Sequence, residues 1–504
     1  MTASATCCAV RGVAGVPVTV EADQSNGLPG FTVVGLTDRA IQEARVRVRA
    51  AVTNSGYAFP PRKLTVNLAP AELPKEGTGF DLAIAVAVLR CGGLALDLRG
   101  TALLGELALD GGLRPVAGVL PMARCLRAAG VRRLVVAPGN APEACLVDGV
   151  EVVAPATLRA CVEHLEGTAP LPPQSSAPPP PEPPTGVDLT DIRGQPTAKR
   201  ALEIAAAGGH NLLMVGPPGS GKTMLARAVA PLLPDLGVEE SLEVAAVYSL
   251  RGALRERPAA SLRPPFRAPH HSISRAGLVG GGAGLAQPGE ISLAHRGVLF
   301  LDEMCEFSRS HLEALRQPLE ERTITVTRVR GSVVLPASIS LVAAANPCPC
   351  GHFGDTARLC SCEPRSLVAY RARLSGPVRD RIDLVARVPR QSCGRLFEPS
   401  AEEPSARVRA RVEAARARQT ARRAEMGEVG LNALLDPRRL LATCRPTRGA
   451  TRLLSAAGER LALSARGFHR VLRVARTIAD LAGDDRVGEN AVAEALQHRG
   501  DEER

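Results

Sequence analysis

Residues 211–223, Asn-Leu-Leu-Met-Val-Gly-Pro-Pro-Gly-Ser-Gly-Lys-Thr, set an apolar strand before a glycine-rich turn and the start of a helix expected over 224–233. The stretch 216–223 satisfies G-x-x-x-x-G-K-[ST] in full, and its flanks have the strand-before, helix-after order that this motif needs. Gly216, Gly219 and Gly221 let backbone N–H groups turn inward on phosphate oxygens, and Pro217, Pro218 and Ser220 complete the loop. The helix N-terminus adds partial positive charge, Lys222 places a point charge at the β/γ-phosphates, and Thr223 offers a hydroxyl to Mg²⁺. The implied ligands are ATP and Mg²⁺. A chance glycine-rich turn is the alternative, and motif and flanks seldom coincide by chance.

At 504 residues the chain is too long for one core, and roughly three domains are expected. Hydrophobic content of 45% and charged content of 22% are those of a globular protein. Aromatics make up 2% of the chain and Trp is absent, which argues against single-strand binding on stacked aromatic platforms. A formal charge of +11 favours a polyanionic partner, and arginines are dense from Arg365 to Arg476. A solvated arginine-rich surface is the competing reading. The N-terminus lacks a basic then apolar leader, and no long apolar run follows, so a cytoplasmic chain without membrane contact is expected. Thirteen cysteines in so long a chain read as reduced thiols; Cys91, Cys125 and Cys161 have the apolar contexts of core residues.

Four regions are expected: an α+β domain at 1–168, a proline-rich linker at 169–186, an α/β domain at 187–395 and a helical region at 396–504. In the first, helices are expected over 38–55, 81–89 and 121–129. Segments 73–81 (LPKEGTGFD), 104–107 (LGEL) and 112–118 (GLRPVAG) resemble the proteolytic domain of Lon proteases, which implies a ribosomal-protein-S5-like fold. Lon-type proteolysis needs a serine activated by a lysine. Here Gly79 stands at the serine and Leu120 at the lysine, so the domain is expected to be catalytically inactive and used for assembly or binding. The prolines between 167 and 186 favour an extended, semi-rigid spacer.

In the third region the run 297–304, Gly-Val-Leu-Phe-Leu-Asp-Glu-Met, reads as a buried parallel strand delivering two carboxylates, the Walker B pattern. Asp302 would hold Mg²⁺ and Glu303 would activate the attacking water. Upstream, His270 and His271 are adjacent and so poorly placed to share one ion. Segments 323–329 and 332–335 flank Arg330-Gly331 as a hairpin; Arg328 and Arg330 could reach DNA phosphates or sit on a solvated edge. Strand 340–345 ends at Asn346, suited to sensing the γ-phosphate. Cys348, Cys350, Cys360 and Cys362 form two C-x-C pairs within loop 348–362 that can supply a tetrahedral Zn²⁺ site, with His352 as a possible replacement ligand. Arg381 is the candidate arginine finger reaching the ATP of a neighbouring subunit, and Arg379 is close enough to be confused with it. Helices are expected over 406–426, 436–442, 451–461, 465–482 and 489–497, with Arg466 placed to face the nucleotide as a second sensor or to sit on the surface.

Taken in order, the Lon-like segments, the cradle, Pro269-His270-His271-Ser272, Gly280-Gly281-Gly282, the Walker B strand, NPCPCG with a second C-x-C, SGP-x-x-DRID and Ser464-Ala465-Arg466 resemble the magnesium-chelatase-like AAA+ ATPases of the YifB/ComM family across nearly the whole chain. Arg379 departs from the apolar residue usual there, and the linker is long. The resemblance implies an AAA+ core with a helical C-terminal lid and a homo-oligomeric ring, a hexamer, driving branch migration of single-stranded or branched DNA in homologous recombination and the uptake of transforming DNA. A motor or chaperone remodelling a protein partner, as in magnesium chelatase, is the other reading.

Overall fold

The computed structural model describes residues 2–35, 39–73, 75–175, 186–254, 260–282, 287–328, 331–355, 358–373, 376–391, 402–425 and 430–499. Buried and exposed positions alternate along Ala14–Ser25 and Lys63–Ala69, the mark of strands with one covered face. They belong to a mixed seven-stranded sheet ordered Gly30–Val34, Lys63–Ala69, Ala14–Ser25, Thr2–Arg11, Thr101–Leu104, Arg133–Val136 and Glu151–Val153. The helix Asp81–Cys91 is apolar almost all round and is correspondingly buried against this sheet. Most of the expected linker, 176–185, lies outside the described residues; within its first part the Gln174 N–H bonds the Val152 carbonyl at 2.7 Å, extending the sheet edge.

A second, five-stranded sheet is parallel throughout, in the order Phe266–Arg267, Val298–Leu301, Ser340–Ala345, Leu212–Val215, Leu384–Arg387. Its apolar strands are covered on both faces, and the turns after Val215, Leu301 and Ala345 all leave by the C-terminal edge. The helix after the cradle, Lys222–Arg227, is shorter than the expected 224–233 and gives way to a 3₁₀ turn at Ala230–Leu232. Pro231 is the reason: it has no N–H to donate to the Arg227 carbonyl, where a continuing α-helix would need one.

The helices Ser405–Glu425, Arg448–Arg460, Ala465–Ala482 and Glu489–Gln497 form the C-terminal lid. The helix expected over 436–442 is displaced to Leu440–Cys444, because Pro437 restrains Asp436 and the Asp436 carboxylate instead accepts the Arg438 N–H at 2.9 Å. Part of the arginine density of this region is used within the molecule. Arg411 pairs with Glu203 and Glu403, both at 2.6 Å; Arg416 and Arg418 donate to the carbonyls of Ala206 and Asp480 at 2.6 and 2.7 Å. Arg422 and the fully buried Arg476 converge on Asp480 at 2.8 and 2.9 Å. These guanidinium groups bind helices together and do not present a polyanion-binding face.

One element joins the two sheets. The helix Val238–Arg251, which sequence periodicity did not single out, packs on Val119–Ala128 and lends Ala245 and Ala246 to the N-terminal core. Its Ser249 carbonyl accepts the Gly118 N–H at 2.9 Å, and its hydroxyl donates to Glu143 at 2.6 Å. Glu143 also takes Asn140 Nδ2 at 2.6 Å and the N–H of Leu120 at 3.3 Å. Burial pushes the Glu143 carboxyl above its usual range, opposed by the bonds from Ser249 and Asn140. Removing the hydroxyl in Ser249→Ala leaves a buried carboxylate oxygen short of a donor and should cost about 1–3 kcal/mol, read as a lower denaturant midpoint.

Candidate nucleotide site and its surroundings

The cradle leaves the centre of the parallel sheet. A Cβ at Gly216 would meet the Val388 carbonyl oxygen at 2.1 Å, so only glycine passes there. Gly219 and Gly221 hold φ of +74° and +91°, and a Cβ on either would meet nothing within 4 Å, so space lies open over the turn. Lys222 is 9% exposed, and its Nζ donates to the carbonyls of Gly216 and Pro217 and to Asn346 Oδ1 at 2.7, 2.9 and 3.1 Å. Burial draws the Lys222 ammonium below its ordinary pKa, while the charges of Asp302 and Glu303 act to raise it. The Ser220 hydroxyl is buried with no hydrogen-bond partner among the described residues. An orphaned hydroxyl, open space above left-handed glycines and a lysine at the turn fit a phosphate ligand.

The Walker B strand Val298–Leu301 is buried along its length and delivers both acids beside the cradle. Thr223 Oγ1 donates to Asp302 Oδ2 at 2.8 Å, which brings together two hard oxygens of the kind that suit Mg²⁺. Glu303 takes the left-handed conformation, φ +49°, and its Oε2 lies 3.6 Å from His271 Nδ1. Two hydrogen-bonded pairs, Lys222 with Asn346 and Thr223 with Asp302, thus stand at the turn, with Glu303 next to Asp302.

The four cysteines come together. Sγ of Cys348 lies 3.4 Å from that of Cys350 and 3.7 Å from that of Cys360, Cys350 and Cys360 are 3.6 Å apart, and all four sulfurs fall within 4.8 Å of one another. Backbone N–H groups of His352 and Ser361 lower the Cys350 thiol, while the Cys360 and Cys362 thiols beside it are raised. His352 instead faces Asp355 Oδ2 at 3.4 Å and is not part of the cluster. This knuckle sits on the cradle: a Cβ at Gly351 would lie 2.5 Å from Pro218 Cδ.

Arg381 is elsewhere. Its guanidinium pairs with Glu320 in a cleft of about 380 Å³ that Arg322, Arg466, Arg470 and Arg473 also line. Burial draws Arg322 down to about 10. Arg470 fixes the turn by donating to the carbonyls of Arg379 and Ile382 at 3.1 and 2.7 Å. Ser464 caps the helix that opens at Ala465 by accepting the Gly467 N–H at 3.1 Å, which leaves Arg466 exposed on the cleft rim. None of the residues lining this cleft belongs to 216–223 or to the Walker B pair, so Arg466 shares a site with Arg381 and not with its own cradle.

Comparison with known proteins gives the same frame. The magnesium chelatase subunit ChlI model matches residues 188–396, its C-terminal model 402–499, and a further ChlI model 20–140. An uncharacterized protein of Mycobacterium tuberculosis is 46% identical over 97% of both chains. YifB of Escherichia coli and the competence protein ComM of Haemophilus influenzae are each 44% identical over 97% of this chain and 96% of theirs. The chain belongs to the YifB/ComM family of magnesium-chelatase-like AAA+ ATPases. Lon protease 2 of Bacillus subtilis is 31% identical over 27% of this chain, in keeping with a Lon-like N-terminal fold.

Against this YifB/ComM frame, the hairpin is present as Thr323–Arg328 paired with Gly331–Pro336, Arg328 opposite Gly331. Arg330 lies outside the described residues. No described helix is long and apolar enough to cross a membrane. Two features escaped the sequence reading: His271 at Glu303, and the seat of the cysteine knuckle on Pro218. The histidine pair was visible, but only the pairing of Phe266–Arg267 with Val298–Leu301 brings it to the Walker B acids. Gly216→Ala should force the cradle off Val388 and weaken binding of a fluorescent ATP analogue by at least about tenfold, measured by titration.

Proposed function

We propose that the chain is an ATP-hydrolysing ring motor that acts on DNA, driving branch migration in homologous recombination and natural transformation. The carrying observation is the separation of parts: the cradle and Walker B acids lie together, while Arg381 and Arg466 line another cleft of the same chain. Two copies must meet for one nucleotide to be contacted by all of them, and a closed ring, a hexamer in this reading, lets every copy both give and receive. Thr223 and Asp302 would hold Mg²⁺, which supplies charge neutralisation at the phosphates when bound. Lys222 and the cradle N–H groups bind the phosphates, and Asn346 reads the γ-phosphate through its bond to Lys222. Glu303 takes the proton of the attacking water as its oxygen bonds to phosphorus and the bond to the bridging oxygen breaks, leaving ADP and phosphate. Arg381, with Arg466, neutralises charge from the neighbouring copy.

Residues 1–168 form the Lon-like domain, 187–395 the AAA+ core and 396–504 the lid. Proteolysis is not assigned to the first: Gly79 offers no nucleophile, and Leu120 is buried beneath the helix carrying Ser249. Cys348, Cys350, Cys360 and Cys362 would hold Zn²⁺, a metal that four thiolates suit, and their sulfurs all lie within 4.8 Å of one another. DNA as the polymer is supported by the ComM relative, the net charge of +11 and the hairpin ending at Arg328. The internal use of many lid arginines favours the other reading, a motor remodelling a protein partner, and DNA stimulation separates the two.

Branched DNA should stimulate ATP turnover several-fold at low salt, with stimulation falling steeply as salt rises; junctions that neither bind nor stimulate reject the DNA reading. In Cys348→Ser, zinc measured by atomic absorption should drop from about one ion per chain to well below it, and an equal zinc content in both proteins rejects the metal.

A further inference from the structure

The cysteine loop has no apolar core of its own. Between Asn346 and the helix Pro364–Arg373 the described chain forms neither strand nor helix, and Phe353 and Leu359 are 43% and 96% exposed. Cys348 and Gly351 are buried instead. The sulfurs gather the backbone around them. Cys348 Sγ accepts the Phe353 N–H at 3.2 Å, Cys362 Sγ accepts the Cys350 N–H at 3.3 Å, and the Cys348 carbonyl takes the Gly351 N–H at 3.0 Å. A loop built in this way owes its shape to its thiols.

That shape reaches the nucleotide cradle at two points. Gly351 holds φ of +81°, and a Cβ on it would lie 2.5 Å from Pro218 Cδ and 2.7 Å from its Cγ. The loop is therefore packed on the proline ring without room for one more methyl group. Pro218 stands exposed on the lip of the cradle, while the Val388 carbonyl closes on Gly216. The second point is Asn346, which accepts from Lys222 and is separated from Cys348 by Pro347 alone. The fixed φ of that proline leaves little play between the two residues. Asp355, its side chain 3% exposed, ties the loop to Arg390 beyond the strand Leu384–Arg387, at 3.7 Å.

We infer that the four cysteines regulate the nucleotide site: thiolates held together on a metal keep Gly351 against Pro218 and the cradle shaped for phosphate, and thiols freed of metal loosen it. Affinity for ATP then follows the metal occupancy of a loop that is not itself part of residues 216–223. The inference rests on the reading of this loop as a zinc site and of the cradle as an ATP site.

Two measurements on the full chain test it: zinc per chain by atomic absorption, and the Kd of a fluorescent ATP analogue with Mg²⁺ by titration. Withdrawing zinc from the wild type with a chelator that spares Mg²⁺ should weaken the analogue at least about fivefold, and added zinc should restore it. Cys360→Ser should lose zinc and show the same weakening. Gly351→Ala keeps all four thiols, so it should retain zinc and still bind the analogue at least about fivefold more weakly. Made on top of Pro218→Ala, which removes the ring atoms in the way, the same substitution should cost less than about twofold. Zinc-free protein that binds the analogue like the wild type overturns the inference and leaves the zinc site standing. A zinc-loaded Gly351→Ala protein with unchanged Kd overturns it as well, as does an equal cost of Gly351→Ala with and without the Pro218 ring. Should Cys360→Ser fail to fold, the chelated wild type and Gly351→Ala decide. Wild type that carries no zinc rejects the metal reading and this inference together, and wild type that does not bind the analogue rejects the cradle reading and this inference together.

Discussion

Burying a primary ammonium is unfavourable unless its donors are met, and the site is organised around meeting those of Lys222. Two acceptors are carbonyls of its own loop and the third is Asn346 at the end of the next strand. The first two set the curvature of residues 216–222. The third requires Ser340–Ala345 to pair with Leu212–Val215 in one register, Val215 opposite Ala345, with the Gly216 N–H donating to the Ala345 carbonyl at 3.2 Å. A slip of one residue would turn Asn346 to the wrong face. Asp302 and Glu303 then oppose the neutralising effect of burial on the lysine, so the two acids proposed to serve hydrolysis also help keep the cradle charged.

What the sequence made legible was what lies close along the chain. The cradle, the apolar run into Asp302 and Glu303, and the strand into Asn346 are local patterns with fixed residue chemistry, and Ala465–Ala482 and Glu489–Gln497 show helical periodicity, the first behind a Ser464 cap. The rest required long-range pairing. His271 reaches Glu303 only because a two-residue strand joins the edge of a sheet, and a strand that short leaves no period to detect. Val238–Arg251 buries one side in its own domain and another in the N-terminal one, which blurs the apolar stripe of a helix with a single buried face.

In the lid, composition alone does not tell which arginines are engaged within the molecule. Arginine density reads as a footprint for polyanions when guanidinium groups are taken to be solvated, yet Arg416, Arg418, Arg422 and Arg476 end on carbonyls and Asp480. Arginine suits this work because its fork can satisfy two acceptors at once while its stem covers apolar surface. Arginines engaged in this way are less available to a polymer, whereas Arg438, Arg448, Arg452 and Arg460 of the same region stay exposed.

The pairing of Arg381 with Glu320 bears on how a ring would form. Its side chain is 9% exposed, and a guanidinium so enclosed needs an anion near it even in a single copy. Glu320, half exposed at the cleft, provides one from within the chain. Under the proposed arrangement a neighbour's nucleotide phosphate competes with that carboxylate for the same guanidinium. Docking of two copies is then an exchange of one anion for another, so the contact between them gains most when the neighbouring cradle is loaded. An empty cradle leaves Arg381 with Glu320, which makes nucleotide occupancy, and not apolar area alone, the quantity that favours a closed ring.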